Sequence, residues 1–193
     1  MSEARARYRA ASGLLVGLDP GEETGVAVCD PKAERLKYVM SQTFWVVVSL
    51  FETELGPETP SDGLSPGPVV RVVIEDARAL PIYGRHGKVR GARRDKLARN
   101  VGRVDRETQL WVEYLARRGY RVLLVEPSRG QEKWDAAMFK RITRYQGRTN
   151  QHSRDAGMLV FELRNVPLEL DETPGGLSLK LYAGLEGADT DSA

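Results

Sequence analysis

The sequence predicts an α/β domain: five strands in one sheet with helices on both faces. Two observations predict it. The segments Leu14 to Leu18 and Val69 to Ile74 are almost continuously apolar, as strands covered on both faces are. Strand-like runs are also separated by stretches with helical spacing and good stop signals, above all Gly119 between a long helix and the next strand.

In order, strands are expected at 14–19, 25–30 and 36–42, where short Val/Leu/Tyr-rich runs are broken by turn residues. A helix is expected over 44–55. The loop from Gly56 to Pro68 holds four prolines and three glycines and cannot be regular. A strand at 69–75, a basic loop at 76–95, a helix at 96–118 and a strand at 121–126 follow. The remainder reads as a basic segment (127–149), a helix (151–164) and a tail. Residues 1–12 are expected as an N-terminal tail, 13–165 as the single domain and 166–193 as a C-terminal tail.

The 193 residues suffice for one domain with a real core. No apolar run approaches the roughly 20 residues of a membrane span, and no signal peptide is evident. The expectation is a cytoplasmic protein, bacterial or from a phage acting in its host, with no membrane partner. The single cysteine, Cys29, can form no internal disulfide and reads as a small core residue. Net charge is only +2, but its distribution is uneven. Eight Lys or Arg face one acid, Asp95, between Arg78 and Arg99; seven face three acids between Arg129 and Asp155. The acidic surplus lies at Glu52 to Glu58 and after Glu169. Such segregation is the footprint of a polyanion-binding face.

The chemistry-bearing residues sit at element ends. Gly17-Leu18-Asp19-Pro20-Gly21 ends a strand in an acid at a Pro-Gly turn, rigid yet reachable. The fourth strand ends Val73-Ile74-Glu75-Asp76. The last helix opens Asn150-Gln151-His152-Ser153-Arg154-Asp155-Ala156, with His152 and Asp155 three apart on one face. Oxygen-rich donors suit Mg²⁺ or Mn²⁺, and an imidazole shifts the preference toward Mn²⁺. Taken singly, Glu75 reads equally as a solvated loop acid, and His152 and Asp155 equally as helix-start residues.

Taken in order, these motifs resemble the RuvC-type Holliday junction resolvases, over roughly Leu14 to Leu163. The resemblance implies an RNase H-like fold with a five-stranded mixed sheet. It implies a homodimeric endonuclease that cuts four-way DNA junctions symmetrically, with two Mg²⁺ (or Mn²⁺) per active site and no small-molecule cofactor. By resemblance, Asp19 bridges both metals, Glu75 and Asp155 each complete one shell, and His152 ligates a metal or orients the attacking water. Lys133 is the basic residue before the last helix and stands near the scissile phosphate. Arg85, Lys88, Arg90, Arg93 and Arg94 would hold junction phosphates. Tyr83 either stacks on an unpaired base or is an ordinary loop tyrosine. The long basic loop and the Ser153-Arg154 pair in a helix the family keeps Ala-rich mark a divergent branch, of the kind viruses carry.

Leu97, Val101, Val104, Thr108, Trp111 and Leu115 form an a/d stripe, readable as a core face or as a helix also serving a dimer contact. Rival readings are an RNase H-like enzyme acting on RNA, a non-catalytic junction-binding protein, and a phosphate-binding ATPase lobe. The last would need a second glycine-rich phosphate loop, and none is present.

Overall fold

The computed structural model describes residues 13–55, 70–79, 92–127, 133–165 and 177–180. Strands β1 (Leu14–Asp19), β2 (Thr24–Asp30) and β3 (Arg35–Gln42) lead to helix α1 (Phe44–Thr53) and strand β4 (Val70–Glu75). A 3₁₀ turn (Ala77–Ala79), helix α2 (Ala92–Arg117) and strand β5 (Arg121–Val125) come next, then α3 (Ala136–Thr143), α4 (Gln151–Leu163) and β6 (Leu177–Lys180).

The sheet is mixed, in the order β3-β2-β1-β4-β5-β6. The β1–β2 and β2–β3 pairs are antiparallel, and β1–β4, β4–β5 and β5–β6 are parallel. The five expected strands therefore lie side by side. A sixth comes from the segment expected as a tail. Helices cover both faces, as the doubly apolar strands require. On one face Val16, Leu18, Val72 and Ile74 meet Phe51 of α1 and Trp111 and Leu115 of α2. On the other Leu15, Val73 and Leu123 meet Phe139 of α3 and Val160 and Leu163 of α4.

The stripe on α2 divides. Thr108, Trp111 and Leu115 are fully buried, and the Trp111 indole N–H donates to Thr24 Oγ1 at 3.1 Å. Those residues are core, which rules out a dimer contact through Trp111 or Leu115. Truncating a buried tryptophan of this kind would remove about 3–5 kcal/mol. Val101 and Val104 lie nearer the helix start and stay partly exposed. The Leu97 side chain is outside the described residues. Helix α2 also starts four residues before its expected position.

Helix α3 lies where only a basic segment is expected. Asp135 caps it, accepting from Met138 N at 2.7 Å, and Phe139 anchors it in the core. Lys140 and Arg141 dilute the apolar spacing that would have revealed it. Cys29 is buried, and burial pushes its thiol up to about 12, which suits an inert core residue. Among the described residues no helix is long and apolar enough to cross a membrane.

Candidate active site

Strand polarity assembles the site. β1 and β4 run parallel and adjacent, so Asp19 and Glu75 emerge at the same edge of the sheet. The chain leaves β1 for β2 on one side, and β4 adds on the other. This is the switch point where open α/β sheets place their ligands, outside the carboxyl ends of the strands.

Glu75 ends β4 and lines the cleft, whereas its neighbour Asp76 does not. Asp76 is buried and used structurally. The Arg78 guanidinium donates to its two oxygens at 2.7 and 2.9 Å, and the Arg78 backbone N–H donates at 3.0 Å. Glu75 is left to face the cleft.

Helix α4 brings the third element, and two glycines let it in. A Cβ on Gly17 would stand 2.5 Å from the Ala156 carbonyl oxygen. One on Gly25 would collide with the His152 carbonyl. Because both positions lack a side chain, the first turns of α4 lie directly on β1 and β2. The cap is a reciprocal box: Asn150 Oδ1 accepts from Ser153 N, and Ser153 Oγ accepts from Asn150 N, each at 3.0 Å. The helix start is thus satisfied without His152 or Asp155, which frees both for the cleft.

There the Nδ1–H of His152 donates to Asp19 Oδ2 at 2.8 Å. Lys133 Nζ stands 3.4 Å from Asp155 Oδ2. Asp19, Glu75, Lys133, His152 and Asp155 all line one cleft of about 310 Å³. Asp19 and Asp155 are largely buried, whereas His152 and Lys133 remain accessible at its mouth.

The electrostatics record how closely the acids crowd. Burial, then Asp19 and Asp155, pushes the Glu75 carboxyl up to about 7. Burial also raises Asp19, more than its hydrogen bond from His152 lowers it. That hydrogen bond raises the imidazole in turn. The imidazole therefore keeps its proton to higher pH than a free histidine would. Such a site would gain from added positive charge.

Among the described residues no three His, Cys, Asp or Glu side chains are gathered tightly enough to close a shell on one ion. The possible ligands stand apart instead: Asp19 with His152, and Asp155 beside the Lys133 ammonium, with Glu75 in the same cleft. That arrangement fits Mg²⁺, which keeps several waters and takes only one or two carboxylates from the protein. It would not suit a fully protein-enclosed ion.

Tyr83, Arg85, Lys88 and Arg90 lie outside the described residues. So do the side chains of Arg93 and Arg94, whose backbone opens α2. Four further residues belong to the site. Glu126 and Glu162 line the cleft, and burial raises Glu162. Glu126 had a legible signal, since it ends the apolar strand Val122 to Val125 as Asp19 and Glu75 end theirs. Glu162 lies seven residues after Asp155, on the same helix face. Gln151 and Arg154 contact Asp155 and its surroundings, as described below. No protein-family model, curated protein or solved structure matches the chain.

Proposed function

We propose that this protein is a divalent-metal-dependent endonuclease of the RuvC type, with an RNase H-like fold, that resolves four-way DNA junctions. The observation carrying the proposal is the convergence of Asp19, Glu75, His152 and Asp155, with Lys133, on one cleft at the carboxyl ends of β1 and β4. The mixed sheet with helices on both faces agrees with the fold the motifs imply.

Asp19, Glu75 and Asp155 would hold Mg²⁺ or Mn²⁺, with His152 as a fourth donor. Bound there, the cations would activate the attacking water and stabilise the leaving oxygen. The chain's own groups do the rest. The Asp19 carboxylate orients the His152 ring through Nδ1 and leaves Nε2 for a ligand or a water. Lys133 sets an accessible ammonium beside the reacting phosphate and offsets its developing charge.

Resolution requires paired cuts in opposite strands, which a two-fold dimer would supply. With Trp111 and Leu115 committed to the core and Val104 lining the cleft, that contact falls to the first half of α2, around Val101. The deciding experiment compares cleavage of a synthetic four-way junction, a linear duplex and an RNA–DNA hybrid, with and without Mg²⁺ and Mn²⁺. Symmetric cuts in the junction are expected, lost in Asp19→Asn and Asp155→Asn while junction binding in EDTA persists. Preferential hybrid cleavage would favour the RNA reading. Binding without cleavage in either metal would mean a junction-binding protein without catalysis.

A further inference from the structure

We infer that Arg154 and Gln151 form a positioning relay that fixes the Asp155 carboxylate; its consequence for cation binding rests on the nuclease reading above. The side chain of Arg154 is held by acceptors on three sides. Its Nε donates to the Trp134 carbonyl at 2.8 Å, and Nη1 to the Thr149 carbonyl and hydroxyl at 3.3 and 3.4 Å. Its Nη2 donates to Gln151 Oε1 at 2.9 Å.

A guanidinium can only donate, so the Gln151 amide must turn its oxygen toward Arg154. Its NH₂ then necessarily faces the other way, and Gln151 Nε2 donates to Asp155 Oδ1 at 2.6 Å. The amide passes the donation on from Arg154 to Asp155. Asp155 already faces the Lys133 ammonium at Oδ2, and a guanidinium at Oδ1 would set a second full positive charge against a carboxylate needed for cations. The amide fixes the carboxylate without adding charge. With Oδ1 engaged, Oδ2 is the oxygen presented beside Lys133, 3.4 Å away. Gln151 and Asp155 are four apart on α4, the spacing at which helix side chains meet.

The same network ties the two walls of the site together. Trp134 lines the cleft next to Lys133, so Arg154 fixes the segment carrying Lys133 to the helix carrying Asp155. Neither Gln151 nor Arg154 touches the reacting atoms in this reading. Both are positioning residues.

The test uses the full chain and Mn²⁺ alone, followed by calorimetry, with the melting temperature in EDTA as a measure of folding. Gln151→Met keeps the length and the helix but neither hydrogen bond. It should weaken Mn²⁺ binding about tenfold, the low end of what partners behind metal ligands contribute, with the EDTA melting temperature nearly unchanged. Arg154→Met should weaken binding similarly. Because Arg154 reaches Asp155 through Gln151, the loss in the double variant should fall well short of the sum of the two single losses. Wild-type affinity in Gln151→Met, or losses that add in the double variant, would overturn the relay and leave the metal centre standing. Should Arg154→Met fail to fold, Gln151→Met decides alone. A wild-type protein that binds no Mn²⁺ would overturn both.

Discussion

Glu75 makes the sharpest prediction, because its carboxyl is held near 7 against an ordinary value of 4.5. In metal-free folded protein the group keeps its proton up to about pH 7, while in the unfolded chain it loses it near 4.5. Between those values the folded state binds more protons, so stability falls as pH rises. At about 1.36 kcal/mol per pH unit the full loss by pH 8 is roughly 3 kcal/mol. Water at the cleft mouth screens part of that, leaving about 2 kcal/mol. Glu75→Gln has nothing to ionise and escapes the loss. In EDTA the variant should therefore match wild type at pH 5 and exceed it at pH 8. For a chain of this size the gain corresponds to roughly 4–8 °C in melting temperature. Thermal unfolding followed by circular dichroism at the two pH values measures it. Saturating Mg²⁺ should narrow the gap by stabilising wild type selectively. An equal difference at both pH values, or a variant less stable at pH 8, would refute the crowding of Glu75 by Asp19 and Asp155.

Other perturbations bear on neighbouring parts of the site. His152→Asp should retain cleavage and raise the Mg²⁺-to-Mn²⁺ rate ratio, because an all-oxygen set suits the harder ion; His152→Ala should lose most activity, and an alanine variant as fast as wild type would confine His152 to the helix start. Gly25→Ala forces a methyl group against the His152 carbonyl and should destabilise by about 3 kcal/mol, with cleavage falling further than melting alone explains. Val101→Glu should give a folded monomer that nicks junctions one strand at a time, where wild type should scatter light as a dimer; a wild-type monomer on junction DNA would count against paired cleavage.

Strands β1 and β4 were legible because they are apolar almost throughout, and β2, β3 and β5 because short apolar runs there are bounded by turn residues. The acids at their ends were legible only as a set: Asp19, Glu75, His152 and Asp155 each have an ordinary local reading, and their order along the chain is what pointed to a site. Helix α3 was not legible, because Lys140 and Arg141 interrupt its apolar face and its burial rests mainly on Phe139. Nor was β6: Leu177-Ser178-Leu179-Lys180 alternates as a strand does, but four residues are a short signal beside a glycine-rich stretch, and its pairing with β5 appears only in the fold. The choice of Glu75 over Asp76 followed from position alone in the sequence. Its physical reason, the capture of Asp76 by Arg78, becomes visible only in three dimensions.

The glycines carry the more general point. Gly17 and Gly25 look like ordinary strand residues, and strands do not favour glycine. Their positions become intelligible once α4 is laid across β1 and β2. Asp19 pairs with Gly25 in the sheet register, so the acid at the end of β1 sits beside the residue that admits the His152 backbone. A side chain at Gly25 would lift the helix start and draw His152 away from Asp19. One at Gly17 would do the same at Ala156, next to Asp155. The distance between the strand acids and the helix ligands is therefore set by absent side chains. A larger residue at Gly25 would meet the His152 and Ser153 backbone and act on the cleft first, whereas one at Gly17 would also strike Val160 in the core.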